Sequence, residues 1–189
     1  MLGVVALLAL AGCSNADSGD GGVAEPTRPP GTRWAERFCT AYDAWVTSVT
    51  ERLRAAQLLD PAMGPAAAHT TLTQVAAGAR DDTTVVVGAV DAAGEPPIDD
   101  GPIIAVDIIH ALQQAEAAFT DALSSLQSVN PNDPAILIPG AAGARAGLVN
   151  ALSIARNELA AALSESHADS LTPAFAAAPA CDGLFTAEG

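Results

Sequence analysis

Three histidines are the side chains of this chain best suited to binding a metal or moving a proton: His69, His110 and His167. Asp107 and His110 are three residues apart in a helical pattern, which places them on one face, and Glu116 follows further along. A metal site there would need a third ligand from elsewhere, such as His69 or His167. The chain has no HExxH motif and no paired CxxC motif. We therefore interpret these residues as solvent-facing polar groups and predict no metal and no cofactor.

Motifs that activate a nucleophile are also missing. Serines are numerous, but none lies in a GxSxG elbow or an SxxK motif. The glycine patterns GxGxxG and GxxxxGK[ST], which bind nucleotide phosphates, are absent as well. A triad assembled from distant residues stays open, as it does in any chain. The sequence therefore predicts no enzymatic activity and no catalytic residue.

Cys13 has a distinctive position, between an apolar run at residues 2–11 and a polar, glycine-rich stretch. The run is too short for a bilayer span of roughly 20 residues, and it fits the core of a secretory signal. The LAGC sequence at residues 10–13 resembles the lipobox of bacterial lipoproteins. In that family the cysteine receives a diacylglycerol and becomes the first residue after cleavage. The resemblance implies a signal peptide at residues 1–12 and a membrane anchor on Cys13.

Two alternatives to the lipobox interpretation are an ordinary signal peptide that is cut nearby and a buried N-terminal helix. No Lys or Arg precedes the apolar run, which indicates either a start codon further upstream or inefficient targeting.

The cysteine count agrees with a lipid anchor. Three cysteines are an odd number for an exported protein, in which a leftover thiol is anomalous. If Cys13 carries lipid, Cys39 and Cys181 remain, and they can pair in an oxidising compartment. We hypothesise a Cys39–Cys181 disulfide.

The charge balance excludes some classes of partner. The chain has 8 basic residues, all arginine, against 22 acidic ones, for a net charge of −14. Such a surface repels phosphate backbones and anionic headgroups, so we predict no nucleic-acid binding and no direct electrostatic binding to membranes.

The remaining sequence predicts a linker followed by an all-α domain. Residues 13–31 are rich in Gly, Pro, Ser and Asp without an apolar period, which is typical of a flexible linker. From residue 32 to residue 189, apolar residues recur at spacings of three and four, and alanine is abundant, which indicates a four-helix bundle. The predicted helices are one with Thr32 as N-cap, one from about Pro65 to Ala92, one along Ile104–Leu126, and one that follows Asp133-Pro134, is kinked or split at Pro139-Gly140 and extends to Ala162. A last short helical turn is expected after Thr172-Pro173, leading to Cys181.

The first predicted helix carries an aromatic face. Trp34, Phe38, Tyr42 and Trp45 lie within about 80° of one another around its axis. Stripes at helical spacing usually pack into a core. The alternative is a candidate apolar ligand face, in which the four side chains line a cleft for an acyl chain or another hydrophobic molecule.

Three features carry a resemblance to a known group: WAERFC at residues 34–39 followed by Trp45, ARDDTTVVVGAV at residues 79–90, and the late Cys181. Together with the anchor and linker, they resemble small exported helical proteins and lipoproteins of actinobacteria, most of unknown function. The resemblance implies that Cys39 and Cys181 join the first helix to the C-terminal segment. It brings no catalytic residues.

The expected function is that of a non-catalytic module, anchored by Cys13 to the outer face of the cytoplasmic membrane. Its partner would be an unknown envelope protein or a hydrophobic small molecule. A carrier or sensor with a cleft beside the first helix is the second hypothesis, and an envelope hydrolase is the third. A large apolar cavity beside the tryptophans would favour the carrier, whereas an exposed apolar patch would favour a protein partner.

Overall fold

The computed structural model describes residues 28–57, 63–164 and 168–183, and all regular structure in these ranges is helical. Five α-helices and a short 3-10 turn follow one another: α1 (Thr32–Gln57), α2 (Pro65–Ala93), α3 (Gly101–Gln127), α4 (Pro134–Ser164), α5 (Ala168–Ala176) and the turn Pro179–Cys181. The prediction of an all-α bundle with four long helices is confirmed. No helix in the described ranges is long and apolar enough to cross a membrane. The predicted signal peptide, Cys13 and His167 lie outside the described residues.

The start of α1 differs from the prediction in one detail. Thr32 is the first helical residue and not the N-cap, because the Ala35 amide donates to the carbonyl of Gly31 at 2.8 Å. Thr32 is buried, and its hydroxyl donates backwards to the Pro29 carbonyl at 2.8 Å instead of accepting from the first turn. The left-handed backbone needed before the helix is supplied by Gly31, whose φ is 87°.

The TTVVVGAV stretch is helical, as predicted, although its residues favour strands locally. Val86 and Val90 are buried and extend the inward-facing row formed by Val75 and Ala79. Val85, the neighbour of Val86, lies outside this row and is 72% exposed. The amphipathic period therefore outweighs the β-propensity of single residues, because burial of a whole face stabilises more than propensity costs.

The structure differs from the prediction at two prolines. Helix α4 contains Pro139 and continues through it, so the chain is not split there. The helical turn predicted between Thr172-Pro173 and Cys181 is present as the 3-10 turn Pro179–Cys181, but a further helix, α5, already begins at Ala168 and contains Pro173. An internal proline removes one backbone hydrogen bond and crowds the preceding turn. Buried residues further along each helix, such as Leu148 and Ala174, supply the packing that keeps the helix intact.

Each long helix packs mainly against its neighbours in sequence: α1 on α2, α2 on α3, and α3 on α4. The bundle is closed much more sparsely between α1 and α4. Helix α5 and the 3-10 turn pack against α1, where the Cys39–Cys181 bond also lies. One side of α1 is thus firmly covered by α2, while part of its other side remains open.

Three polar links fasten α1 to α2. The indole Nε1 of Trp45 donates to Thr83 Oγ1 at 2.9 Å, and the indole of Trp34 donates to the Gly94 carbonyl at 2.7 Å. Further along α1, Arg52 Nε lies 2.5 Å from Asp82 Oδ2, and the Ser48 hydroxyl donates a hydrogen bond to the same oxygen at 2.6 Å. These links fix the rotation of α1 about its axis, so they also decide which residues face α4.

The Arg52–Asp82 pair gives a pH-dependent contribution to stability. Burial raises the pKa of Asp82, but the hydrogen bonds from Arg52 and Ser48 and the charge of Arg52 lower it more, so the pKa lies below its ordinary value. A depressed carboxylate pKa stabilises the fold at pH values above the unfolded pKa, and this contribution is lost as the pH falls through the native value.

Asp82→Asn is expected to lower the free energy of unfolding by at most about 1 kcal/mol at neutral pH, since both partners stay partly exposed. The difference from wild type should start to shrink as the pH falls below the unfolded pKa of about 3.9, and it should vanish below the lower native pKa, where the wild-type carboxylate is protonated too. Urea denaturation at neutral and acidic pH measures it. Asp81→Asn is the charge-matched control, because Asp81 is 63% exposed, forms its ion pair with the adjacent Arg80 and acts on Arg52 through its charge and not through the hydrogen bonds that Asp82 accepts. A difference that is the same at both pH values would contradict the assignment.

Candidate binding groove

The aromatic face of α1 lies in the core. Trp34, Phe38, Tyr42 and Trp45 are all buried, and their rings follow one another at centroid distances of 5.3, 5.8 and 5.6 Å. Phe175 of α5 packs on this row, with its ring 6.2 Å from those of Trp34 and Phe38. The side chains that were candidates for an apolar ligand face therefore contact one another and α5.

The histidines and acidic residues considered for a metal are dispersed. His69 Nε2 lies 2.8 Å from the Leu126 carbonyl, and His110 Nδ1 lies 3.3 Å from the Gln114 amide. Glu116 accepts a hydrogen bond from Thr84 at 2.7 Å. Within the described ranges, no three His, Cys, Asp or Glu side chains come together in a group that could hold a metal ion.

The hypothesised disulfide is present. Cys39 of α1 and Cys181 of the 3-10 turn are bonded, with their Cα atoms 5.1 Å apart. Both cysteines are buried. The bond joins the aromatic half of α1 to the C-terminal segment, so it holds α5 over Trp34 and Phe38.

A concave surface lies on the side of α1 that α2 leaves open. It is a groove of about 540 Å³ between the last two turns of α1 and the middle of α4. An adjoining depression of about 640 Å³ continues it along α4 and shares Gln57, Val149 and Ser153 with it. The groove is lined by Thr50, Leu53, Arg54 and Gln57 of α1 and by Val149, Leu152, Ser153, Arg156 and Asn157 of α4.

The groove forms where α1 changes from large to small inward-facing residues. Up to Trp45 the helix fills the interior with aromatic rings, whereas beyond it the buried residues are Val49, Leu53 and Ala56. Helix α4 packs mainly on α3, and its buried residues include Leu148 and three small alanines, Ala144, Ala151 and Ala155, which allow a close approach between helices. The side chains at the α1–α4 boundary therefore leave space unfilled, and the two helices enclose a furrow there.

The charge in this groove is opposite to that of the protein. Arg54 and Arg156 line it, and Arg145 lines the adjoining depression. Thus three of the eight basic residues of a chain with net charge −14 lie along one furrow. Glu51 and Glu158 belong to the same two helices but are not among the lining residues.

None of these three arginines is neutralised within the described part of the chain. The ion pairs there are Arg52–Asp82 and Arg80–Asp81, and neither includes a groove residue. The charge of Arg156 also acts on Tyr42. Burial raises the pKa of the Tyr42 phenol, and the positive charge of Arg156 opposes that rise. The described lining of the groove and the adjoining depression thus carries three arginines and no acidic residue, in an otherwise acidic molecule.

The floor of the groove combines apolar surface with an unsatisfied hydroxyl. Leu53 and Leu152 are buried beneath it, and Val149 is 46% exposed along its edge. Thr50 also lines the groove, and its Oγ1 is the buried side-chain polar atom in the described ranges that has no hydrogen-bond partner. Such an atom costs about 1–3 kcal/mol, so it calls for a functional explanation.

Sequence reasoning did not identify these residues, although α4 contains a signal for them. Arg145, Val149, Leu152 and Arg156 follow at intervals of four, three and four, which places them within about 60° of one another around α4. The apolar stripe used to predict α4 is the neighbouring one, through Leu148 and Ala155, which faces α3. A stripe with arginine at both ends and apolar residues between them is typical of a surface that contacts something both charged and apolar.

In comparisons with known proteins, no family model, no curated protein and no solved structure matches this chain. The interpretation of the groove therefore depends on its own geometry and charge.

Proposed function

We propose that this chain is a non-catalytic binding module, held at the outer face of the cytoplasmic membrane by a lipid on Cys13, and that the α1–α4 groove is its binding surface. The observation that carries the proposal is the furrow itself: arginines that have no ion-pair partner among the described residues, and partly exposed apolar side chains, line one concave surface of an otherwise acidic protein. Its size is within the range of about 300–1,000 Å³ that small-ligand sites usually have.

A binding role agrees better with the lining residues than a hydrolytic one. Thr50 and Ser153 supply the hydroxyl groups of the groove. A hydroxyl needs an adjacent general base to act as a nucleophile. No His, Asp or Glu is among the described residues that line the groove or the depression beside it. Positive charge with no base is suited to holding an anion, not to cleaving a bond.

The carrier hypothesis applies to a different place along α1 from the one that the sequence indicated. A cleft beside the first helix was expected at Trp34–Trp45, where the side chains are buried against one another. The groove lies beside the same helix but about two turns further along, at Thr50–Gln57. A ligand carried by this protein would therefore contact α4 as much as α1.

The anchor is tested by changing the residue that would carry it. Cys13→Ser is expected to release the protein from the membrane fraction, because no lipid can then be attached. Fractionation of cells, with the intact mass of the membrane-extracted wild-type protein, measures this. Ser18→Ala is the control, since it changes a residue of the predicted linker that would not carry lipid and leaves the disulfide intact. A Cys13→Ser protein that stays in the membrane fraction would contradict the anchor.

The binding surface is tested by hydrogen–deuterium exchange of the full chain, with and without an envelope extract that contains lipids and proteins. Protection is expected in peptides from the second half of α1 and the middle of α4. The rival surface is on α3, where Ile103 and Val106 are 54% and 65% exposed. Protection confined to α3, or no protection anywhere, would overturn the assignment of the groove.

A further inference from the structure

The charges and the apolar surface of the groove define a class of ligand more narrowly than the proposed function does. We infer that the α1–α4 groove binds an amphipathic anion: a small molecule with one carboxylate or phosphate group on an apolar chain. This inference rests on the proposed function and specifies what the groove holds.

Charge complementarity selects an anion. Arg54 of α1 and Arg156 of α4 face the same groove from opposite walls, and neither has an ion-pair or hydrogen-bond partner among the described residues. Guanidinium groups bind carboxylate and phosphate through paired, charge-assisted hydrogen bonds, which are about twice as strong as neutral ones. An anion between these two arginines would receive donors from both helices.

The surface beside the arginines selects an apolar chain. Leu53 and Leu152 form the floor, and Val149 extends the apolar surface toward the adjoining depression. The row from Arg156 through Leu152 and Val149 to Arg145 covers twelve residues, whose ends are about 16 Å apart along the helix axis. A free inorganic anion would leave this surface in water, whereas an amphipathic one covers it.

The Thr50 hydroxyl fits the same ligand. It lies on the α1 wall, one helical turn before Arg54, and its buried Oγ1 lacks a partner. Because Oγ1 is covered in the free protein, rotation of the Thr50 side chain toward the groove would let an anionic oxygen held by Arg54 and Arg156 supply the acceptor that this hydroxyl lacks. An uncompensated polar atom that is costly in the free protein and satisfied in the complex is a common arrangement at binding sites.

The test is calorimetric titration of the full chain carrying Cys13→Ser with decanoate below its micellar concentration. Saturable binding is expected, with decanol at least roughly tenfold weaker and decyltrimethylammonium not bound. A short-chain phosphatidylglycerol forms the second arm: binding of decanoate alone indicates a free acid as the natural ligand, whereas preference for the phospholipid indicates a lipid headgroup. Equal affinity for decanoate and decanol would overturn the inference.

Variants separate the groove from the general effects of charge. Arg54→Gln and Arg156→Gln are each expected to weaken decanoate binding roughly tenfold. Arg37→Gln makes the same charge change on an exposed site of α1 away from the groove and should leave the affinity unchanged. Equal losses in all three variants would contradict a specific site. The methyl resonances of Leu53, Val149 and Leu152 should shift on binding, and shifts confined to Ile103 and Val106 would also overturn the site.

Thr50→Val is expected to change the stability of the free protein and its affinity for decanoate in opposite directions. Removal of the unpartnered hydroxyl should raise the melting temperature of the free protein, because valine has the same shape without the buried polar atom. The same change should weaken decanoate binding severalfold. Unchanged affinity would overturn the assignment of the hydroxyl to the site, and a lowered melting temperature would show that Oγ1 has a partner in the folded protein.

Failure of this inference is distinguishable from failure of the proposed function. If the extract protects the groove but decanoate and phosphatidylglycerol do not bind, the groove binds something else and only the ligand class is wrong. If sedimentation shows a dimer that Arg54→Gln dissociates, the groove is an interface between two copies, and the inference is overturned.

Discussion

Replacing Cys39 and Cys181 together with alanine is expected to lower the free energy of unfolding by as much as about 5 kcal/mol. The bond joins residues 142 positions apart, so it restricts nearly the whole domain in the unfolded state. The chain-entropy model gives on the order of 5 kcal/mol for such a loop, and native-state strain and residual unfolded structure reduce the measured value. Small domains have a total stability of about 5–15 kcal/mol, so this loss is a large fraction of it.

Urea denaturation with and without a thiol reductant measures the effect. Reduced wild type should approach the stability of the double variant, which itself should not respond to reductant. Amide exchange should accelerate most in α5 and at the start of α1, because the bond holds the 3-10 turn against that helix. A double variant within about 1 kcal/mol of oxidised wild type would show that packing alone keeps the C-terminal segment in place.

Phe38→Ala is expected to cost about 3–5 kcal/mol, which is typical of removing a buried aromatic ring. Phe38 is 0% exposed and stands in the middle of the aromatic row, with Trp34 on one side and Tyr42 on the other. Its ring also contacts Phe175, so α1 and α5 would both face the cavity. Two stacked neighbours and a third tilted one leave little freedom for the surroundings to collapse into the space.

Chemical denaturation with tryptophan emission as the probe measures this loss. Phe38→Leu should cost less, because it keeps most of the apolar volume, and Val85→Ala on the exposed face of α2 should cost very little. Both predictions place the main stability of the domain at the N-terminal half of α1. A Phe38→Ala cost near that of Val85→Ala would instead show that the aromatic row adds little to stability.

This distribution of stability bears on function. The half of α1 that contains Trp34, Phe38 and Trp45 is covered by α5 and tied to α2 by indole hydrogen bonds. The groove begins at Thr50, where that support is less complete. Well-packed elements commonly hold a binding surface in place, and here the packed N-terminal half of α1 would fix the position of its C-terminal half, which lines the groove.

The helices could be predicted from the sequence because their signal is local. Residues that face a core recur at the period of the helix whatever the helix packs against, so the rows through Trp34, Val75, Ile104 and Leu148 were all recognisable. The same reasoning allowed a split at Pro139 and did not predict a helix through Pro173, since the local cost of a proline says nothing of the packing that offsets it.

The cysteine count indicated that Cys39 and Cys181 form a pair, but only the fold brings their Cα atoms to 5.1 Å. The groove depended on tertiary structure even more. Its walls come from α1 and α4, the first and last of the long helices, and its depth results from side-chain volume that is missing between them. Periodicity shows which face of a helix is apolar, but neither which helix will lie opposite it nor how closely. The meeting of Arg54 with Arg156, about a hundred residues apart in sequence, was therefore decided by the packing of the bundle alone.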